Sequence, residues 1–162
     1  MKMRVGIGYD CHRLAAGRPL MLGGILVPYE KGLLAHSDGD VLLHAISDAL
    51  CGAAGLPDIG QLFPDTDAKW EGADSRQFLK AIAGYVGDAG FEIGNVDCIL
   101  IAQHPKISPH VQAMRESIAG VLGISPEDVN VRGKTAEKMD ALGAGEGMAS
   151  HAVCLLLAKP SA

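Results

Sequence analysis

The sequence predicts a single α+β domain: a mixed β-sheet with helices packed on one face. Three observations point there. Alternating, β-branched segments stand at the start, middle and end of the chain; segments with helical spacing lie between them; and a strict β-α-β succession is missing. At 162 residues, with 48% hydrophobic and 20% charged residues, one core is expected. No internal repeat, linker or low-complexity tail divides residues 1–162.

Residues 3–12 alternate, with Met3, Val5, Ile7 and Tyr9 on one face and Arg4, Gly6, Gly8, Asp10 and His12 on the other. This reads as a half-buried strand whose polar end sets Asp10 and His12 side by side. Residues 20–28 (LMLGGILVP) read as a second strand broken by a Gly-Gly bend. Ser37 and Asp40 then have capping-box spacing, opening a helix that runs to about Ala54. At about 100° per residue, Leu42, Leu43, Ala45, Ile46, Ala49, Leu50 and Ala53 share a broad face, opposite a stripe of Asp40, His44, Ser47 and Asp48. Further helices are expected from about Asp74 to Asp88 and from Pro109 to Leu122, the latter capped by Ser108. Strands are expected at 95–102, 129–133 and 151–158.

Composition limits the function. A net charge of −5 argues against a nucleic-acid surface, which needs clustered Lys and Arg. Aromatics are only 4%, so the core is aliphatic and alanine-based, and 21 glycines imply tight turns or close backbone approaches. The four cysteines form no C-x-x-C, and three lie in apolar runs, which reads as a reducing compartment. No stretch approaches a membrane span and no secretory signal precedes Asp10, so the expected location is the cytoplasm.

Asp10 and His12 on a strand with His44 on a helix make three N/O donors, the number a catalytic zinc site uses while leaving a fourth position open. By spacing alone they are equally polar residues at the ends of elements. Asp40 or Asp48 is placed to hold the free ring nitrogen of a ligating histidine. His36 and Ser37 stand at a helix N-terminus, which favours an anion. The acidic loop LPDIGQLFPDTD reads by default as a solvated turn. Lys106 beside a helix start suits a phosphate. Thr135 is expected to cap a short helix, with Glu137 able to hold a hard divalent ion.

Several stretches together carry a resemblance: GYDCH, AHSDGDVLLHAISDALCGAAGLPDIGQLFPDTD, GADSR, GNVDCILIAQHPKISPH and VNVRGKTAEK. Over nearly its whole length the chain resembles the 2-C-methyl-D-erythritol 2,4-cyclodiphosphate synthase family of the non-mevalonate isoprenoid pathway. The resemblance implies a phosphorus–oxygen lyase. Its substrate would be 4-diphosphocytidyl-2-C-methyl-D-erythritol 2-phosphate, with a cyclic diphosphate and CMP as products. It implies Asp10, His12 and His44 as zinc ligands and His36 and Thr135 as transition-state stabilisers. Ser37 matches a substrate-phosphate contact. Asp58, Ile59, Gly60, Phe63, Pro64, Asp65, Thr66 and Asp67 match the methylerythritol pocket. Ala102, Gln103, His104, Pro105, Lys106, Ile107 and Ser108, with Lys134, Thr135 and Ala136, match the cytidine-diphosphate pocket. There Glu137 would hold a second divalent ion, Mg²⁺ or Mn²⁺. The resemblance also implies a homotrimer with active sites between subunits.

The chain departs from that pattern near its end. After TAEK many members read L-G-F-x-G-R-G-E-G, whereas MDALGAGEG stands here. Ala141 thus replaces the usual Phe, and Ala144 replaces an Arg attributed to phosphate binding and to an anion-holding axial cavity. Lys134 stands for a frequent threonine, and His104 for a small residue.

Overall fold

A computed structural model describes residues 2–160. Its sheet has five strands in the order β4-β1-β7-β5-β6. β1 (Met3–Ala16) pairs antiparallel with β7 (Gly147–Ala158), from Met3 opposite Leu157 to Arg13 opposite Gly147. The far end of β1 pairs with β4 (Lys31–Leu33). β7 also pairs antiparallel with β5 (Phe91–Ile101), and β6 (Val129–Lys134) joins β5 in parallel, so the sheet is mixed as expected. The bent strand expected at 20–28 is instead a separate hairpin of β2 (Leu20–Leu22) and β3 (Ile25–Val27). Gly23 and Gly24, at φ 63° and 78°, reverse the chain there.

The helices cover one face. α1 (Val41–Ala54) lies on β1 and β7, α3 (Ser75–Asp88) beside it over β5, and α4 (Val111–Leu122) against β6. The short α2 (Ile59–Leu62) and α5 (Asp140–Gly143) stand outside this layer. None of the helices among the described residues is long and apolar enough to cross a membrane.

The buried side of β1 is the glycine side, not the aliphatic one. Met3, Val5, Ile7 and Tyr9 are exposed, whereas Gly6 and Gly8 meet α1. A Cβ at Gly6 would sit 1.9 Å from the Ala49 carbonyl oxygen, and one at Gly8 1.9 Å from that of Ala45. Helix backbone therefore rests on strand backbone, a contact open only to residues without a side chain. This close seam carries His44 of the helix to Asp10 of the strand.

α1 is buried on almost every side. Ser47, placed on a polar stripe by its spacing, is buried, and Asp40 is fully so. The cap is Asp40 alone rather than a Ser37–Asp40 box. Its carboxylate accepts hydrogen bonds from Leu43 N (3.0 Å), Gly23 N (3.0 Å) and Gly24 N (2.7 Å), tying the β2–β3 hairpin to the helix start. That carboxylate also occupies the anion-favouring helix N-terminus. Burial pushes its pKa up, and the three amide donors partly offset that rise. Asp40→Ala would strip a cap worth about 0.5–2 kcal/mol and strand two buried amides at about 1–3 kcal/mol each. A loss above about 2 kcal/mol in denaturant unfolding is expected; unchanged unfolding would contradict this account of the hairpin.

Two other capping expectations are corrected. Ser108 lies within a 3₁₀ turn (Ser108–His110) before α4 and makes no capping hydrogen bond, because the proline-containing turn already leads into the helix. Thr135 caps no helix: its Oγ1 accepts from Glu137 N at 3.2 Å, a local turn in which Glu137 and Lys138 take left-handed φ of 52° and 61°.

Candidate metal centre and flanking pockets

Asp10 and His12 project from the same face of β1, and His44 reaches them from the second turn of α1. Asp10 Oδ2 lies 2.8 Å from His12 Nε2 and 3.0 Å from His44 Nδ1, and the two ring nitrogens are 3.2 Å apart. Ligand atoms held about 2.0–2.1 Å from a tetrahedral centre lie about 3.3 Å from one another, so these three nearly form one face of such a set. The three residues form a group able to hold a metal ion. Two imidazoles and one carboxylate suit zinc better than the all-oxygen shells of Mg²⁺ or Ca²⁺.

The second nitrogen of His44 is not held by Asp40 or Asp48, because both carboxylates are committed to backbone amides. Asp48 accepts from Ile59 N at 2.9 Å and so fixes the start of α2. His44 Nε2 instead faces Ser75 Oγ at 2.8 Å and Ser37 Oγ at 3.3 Å. Ser75 is the first residue of α3, and Asp38 stands behind it. Neither Asp38 nor Ser75 emerged from the sequence; Asp38 lies within AHSDGDVLLHA, but Ser75 is 31 residues from His44.

Charge pairing at the triad has opposite consequences for stability and metal binding. Burial pushes Asp10 up, but hydrogen bonds from His12 and His44 outweigh it and hold its carboxyl down at about 2. Burial pushes His44 down, but Asp10 outweighs it and raises the ring above its ordinary 6.5. A raised folded pKa contributes stability that is complete below 6.5 and lost as pH rises through the folded value. Asp10 contributes stability above 3.8 that is lost as pH falls through about 2. The metal-free protein is thus expected to lose thermal stability as pH rises beyond 6.5, while metal affinity increases because ligation needs neutral imidazoles. Chelator-treated melts alongside metal titrations check both signs; parallel trends would contradict the pairing.

Above the triad lies a cavity of about 490 Å³, into which His36, Ser37, Ile59, Gly60, Phe63 and Asp65 also project. Its outer wall is the 57–74 segment, pinned by His36 Nε2 at 3.0 Å from the Asp67 carbonyl and by Gly72 N donating to His36 O at 2.7 Å. Asp58 and Asp67 are exposed and cap their own short turns instead of lining the cavity: Asp58 accepts from Gln61 N and Asp67 from Lys69 N. Pro64 and Thr66 are exposed and do not line the cavity. Trp70 and Phe78, which the sequence reading missed, close it with Phe63; ring centroids are 4.8–5.3 Å apart. The gathering of the chain's one tryptophan and two of its three phenylalanines within residues 63–78 was the available signal.

A second cavity, about 700 Å³, opens where the parallel β5 and β6 end. Ala102–Ser108 form one side, with Val131, Arg132, Gly133, Lys134 and Thr135 on the other; Val111, which also lines it, and Val131, Arg132 and Gly133 were not anticipated. Ala102 N donates to Lys134 O at 2.9 Å, closing the two walls together. Ala136 and Glu137 stand beside this cavity rather than in it, and Thr135 Oγ1 lies 3.2 Å from Glu137 Oε1. Among the described residues none lines both cavities.

The YgbB family model matches residues 3–157. The chain is 56% identical over 156 residues to the 2-C-methyl-D-erythritol 2,4-cyclodiphosphate synthase of Laribacter hongkongensis, covering 96% of each chain. It is 54% identical to the enzyme of the same name from Burkholderia thailandensis over the full length of both. A solved Plasmodium falciparum IspF–CDP complex superposes with a TM-score of 0.86 at 36% identity, covering 98% of this chain and 97% of that one.

Proposed function

The chain belongs to the YgbB family, and from that membership we infer that it converts 4-diphosphocytidyl-2-C-methyl-D-erythritol 2-phosphate to 2-C-methyl-D-erythritol 2,4-cyclodiphosphate and CMP. The observation that carries this reading is the convergence of Asp10, His12 and His44 at the floor of a cavity walled by His36 and Ser37.

The reaction is an intramolecular phosphoryl transfer, a phosphorus–oxygen lyase step. A 2-phosphate oxygen forms a bond to the β-phosphorus, the bond from that phosphorus to the CMP oxygen breaks, and CMP leaves with the electron pair. Since both reacting groups belong to one substrate, the protein's task is to fold it and stabilise charge. Zn²⁺, held by Asp10, His12 and His44, supplies Lewis acidity and a template when bound. His36 Nε2–H donates to the Asp67 carbonyl, and the doubly protonated ring would also offer an Nδ1–H to a phosphate oxygen. Ile59, Gly60 and the Phe63–Trp70–Phe78 group exclude water from the carbon skeleton. Asp58, Pro64, Thr66 and Asp67 shape the loop that carries them. Thr135, Lys134 and Lys106 meet the diphosphate in the second cavity, where Ala102–Ser108 and Ala136 bound the cytidine. Glu137, beside that cavity, would hold a divalent ion, Mg²⁺ or Mn²⁺, to neutralise phosphate charge.

A substrate reaching both groups needs two cavities that one chain keeps apart, which supports a homotrimer with each active site shared between subunits. The exposed aliphatic face of β1 and Val153 of β7 is the surface available for such packing. Ala144 lies exposed just beyond α5 and leaves the axial cavity without the family's arginine. Buried Cys51, Cys98 and Cys154 and exposed Cys11, all unpaired, agree with a cytoplasmic enzyme.

Phosphorus NMR of the cytidyl substrate with protein, Zn²⁺ and Mg²⁺ tests this. Two coupled cyclic-diphosphate resonances with equimolar CMP are expected. Linear phosphates would mean a hydrolase instead, and unconsumed substrate would leave only a binding protein.

A further inference from the structure

We propose that Ser75 and Asp38 form a positioning relay that fixes the tautomer of His44, and so determines which ring nitrogen is offered to the metal. The inference rests on the metal reading of the Asp10–His12–His44 group and extends it to two residues in which that reading assigns no role.

Asp38 is oriented by several donors at once. It accepts from Asp40 N at 3.1 Å, from Ser75 N at 3.0 Å and from the Ser75 hydroxyl. A hydroxyl has one proton, and here a carboxylate that can only accept takes it. Ser75 Oγ therefore presents lone pairs alone to His44 Nε2, 2.8 Å away. Ser37 Oγ, the other neighbour of Nε2, accepts from Gly39 N and keeps a proton of its own, but it lies farther off at 3.3 Å, so the shorter Ser75 contact dominates at Nε2. Nδ1 also faces an acceptor, Asp10 Oδ2, so a metal bound there takes the place of the Nδ1 proton, while Ser75 holds the remaining proton on Nε2 and leaves the Nδ1 lone pair for the metal. That is the nitrogen 3.0 Å from Asp10 Oδ2 and 3.2 Å from His12 Nε2. Free histidine favours neither nitrogen strongly enough to guarantee this, and a wrong tautomer would set an N–H against the metal. Ser75 is fully buried, so water cannot substitute for its hydroxyl. The relay also joins two elements distant in sequence, since Asp38 precedes α1 and Ser75 starts α3.

Two measurements test it. In Zn²⁺-loaded wild-type protein, nitrogen-15 spectra are expected to show His44 protonated at Nε2 and ligated through Nδ1; a ring protonated at Nδ1 and ligated through Nε2 overturns the proposal without any variant. In Ser75→Ala, a mixture of tautomers and a Zn²⁺ affinity about 10- to 100-fold weaker in chelator competition are expected, with Ser75→Thr recovering most of the loss. Wild-type tautomer and affinity in Ser75→Ala would overturn the relay while leaving the metal site standing. A wild-type chain that binds no Zn²⁺ would overturn the metal reading and the relay with it.

Discussion

His44→Ala is expected to lower turnover by on the order of 10³-fold and to abolish stoichiometric Zn²⁺ binding. Lewis-acid stabilisation is worth several kcal/mol, and each 1.4 kcal/mol is about a factor of ten in rate. The substitution removes one of three donors and leaves Asp10 and His12 as a two-donor remnant. It also opens space between Ser75 and the triad, so excess metal should not restore the rate. Circular dichroism must show the helices intact, and CDP binding should persist because no part of the second cavity involves α1. Near-normal turnover with metal still bound would place the catalytic ion elsewhere.

Gly8→Ala is expected to be as damaging without touching a ligand. The new methyl would sit 1.9 Å from Ala45 O and 2.7 Å from Ala49 N, both backbone atoms of α1 that no rotamer change can move. Overpacking of this kind typically costs about 1–3 kcal/mol, and a rigid neighbour puts this site at the upper end or beyond. If the chain still folds, α1 must retreat from β1, which separates His44 from Asp10. Loss of Zn²⁺ affinity should therefore accompany the loss of stability. Gly84→Ala is the control: nothing lies within 4 Å of its added Cβ, it is exposed on α3, and alanine favours the helix by about 1 kcal/mol. A Gly8→Ala protein as stable as Gly84→Ala, with metal bound, would mean the close seam is not what holds the triad.

The same seam shows what the sequence made legible and what it did not. Period two in residues 3–12 put Asp10 and His12 on one face correctly, and the extent of α3 and the end of α1 match their spacing to within a residue, whereas α1 starts at Val41, three residues later than a Ser37 cap implies. Which face of β1 meets the helices could not be read from hydrophobicity. The rule that apolar residues go inside fails where Gly6 and Gly8 allow backbone contact and leave Val5 and Ile7 exposed. The second neighbour of His44 was missed for another reason: helix periodicity offers only residues on the same helix, such as Asp40 and Asp48. Ser75 arrives from α3 through packing that no local pattern records. The short turns at 59–62, 68–70 and 140–143 are set by single carboxylates accepting from nearby amides, as Asp58, Asp67 and Asp140 do, and leave no periodic trace. The two pockets were legible only through family resemblance; their residue types alone describe ordinary polar loops.

The central claim is that Asp10, His12 and His44 hold the metal while the nucleotide occupies the separate cavity at the ends of β5 and β6. Anomalous diffraction at the zinc edge, from crystals grown with Zn²⁺ and CDP, tests it most directly. The predicted result is a single strong peak enclosed by Asp10 Oδ2, His12 Nε2 and His44 Nδ1, with cytidine density between Ala102–Ser108 and Gly133–Thr135. A zinc peak elsewhere, or CDP seated in the aromatic-walled cavity, would contradict it.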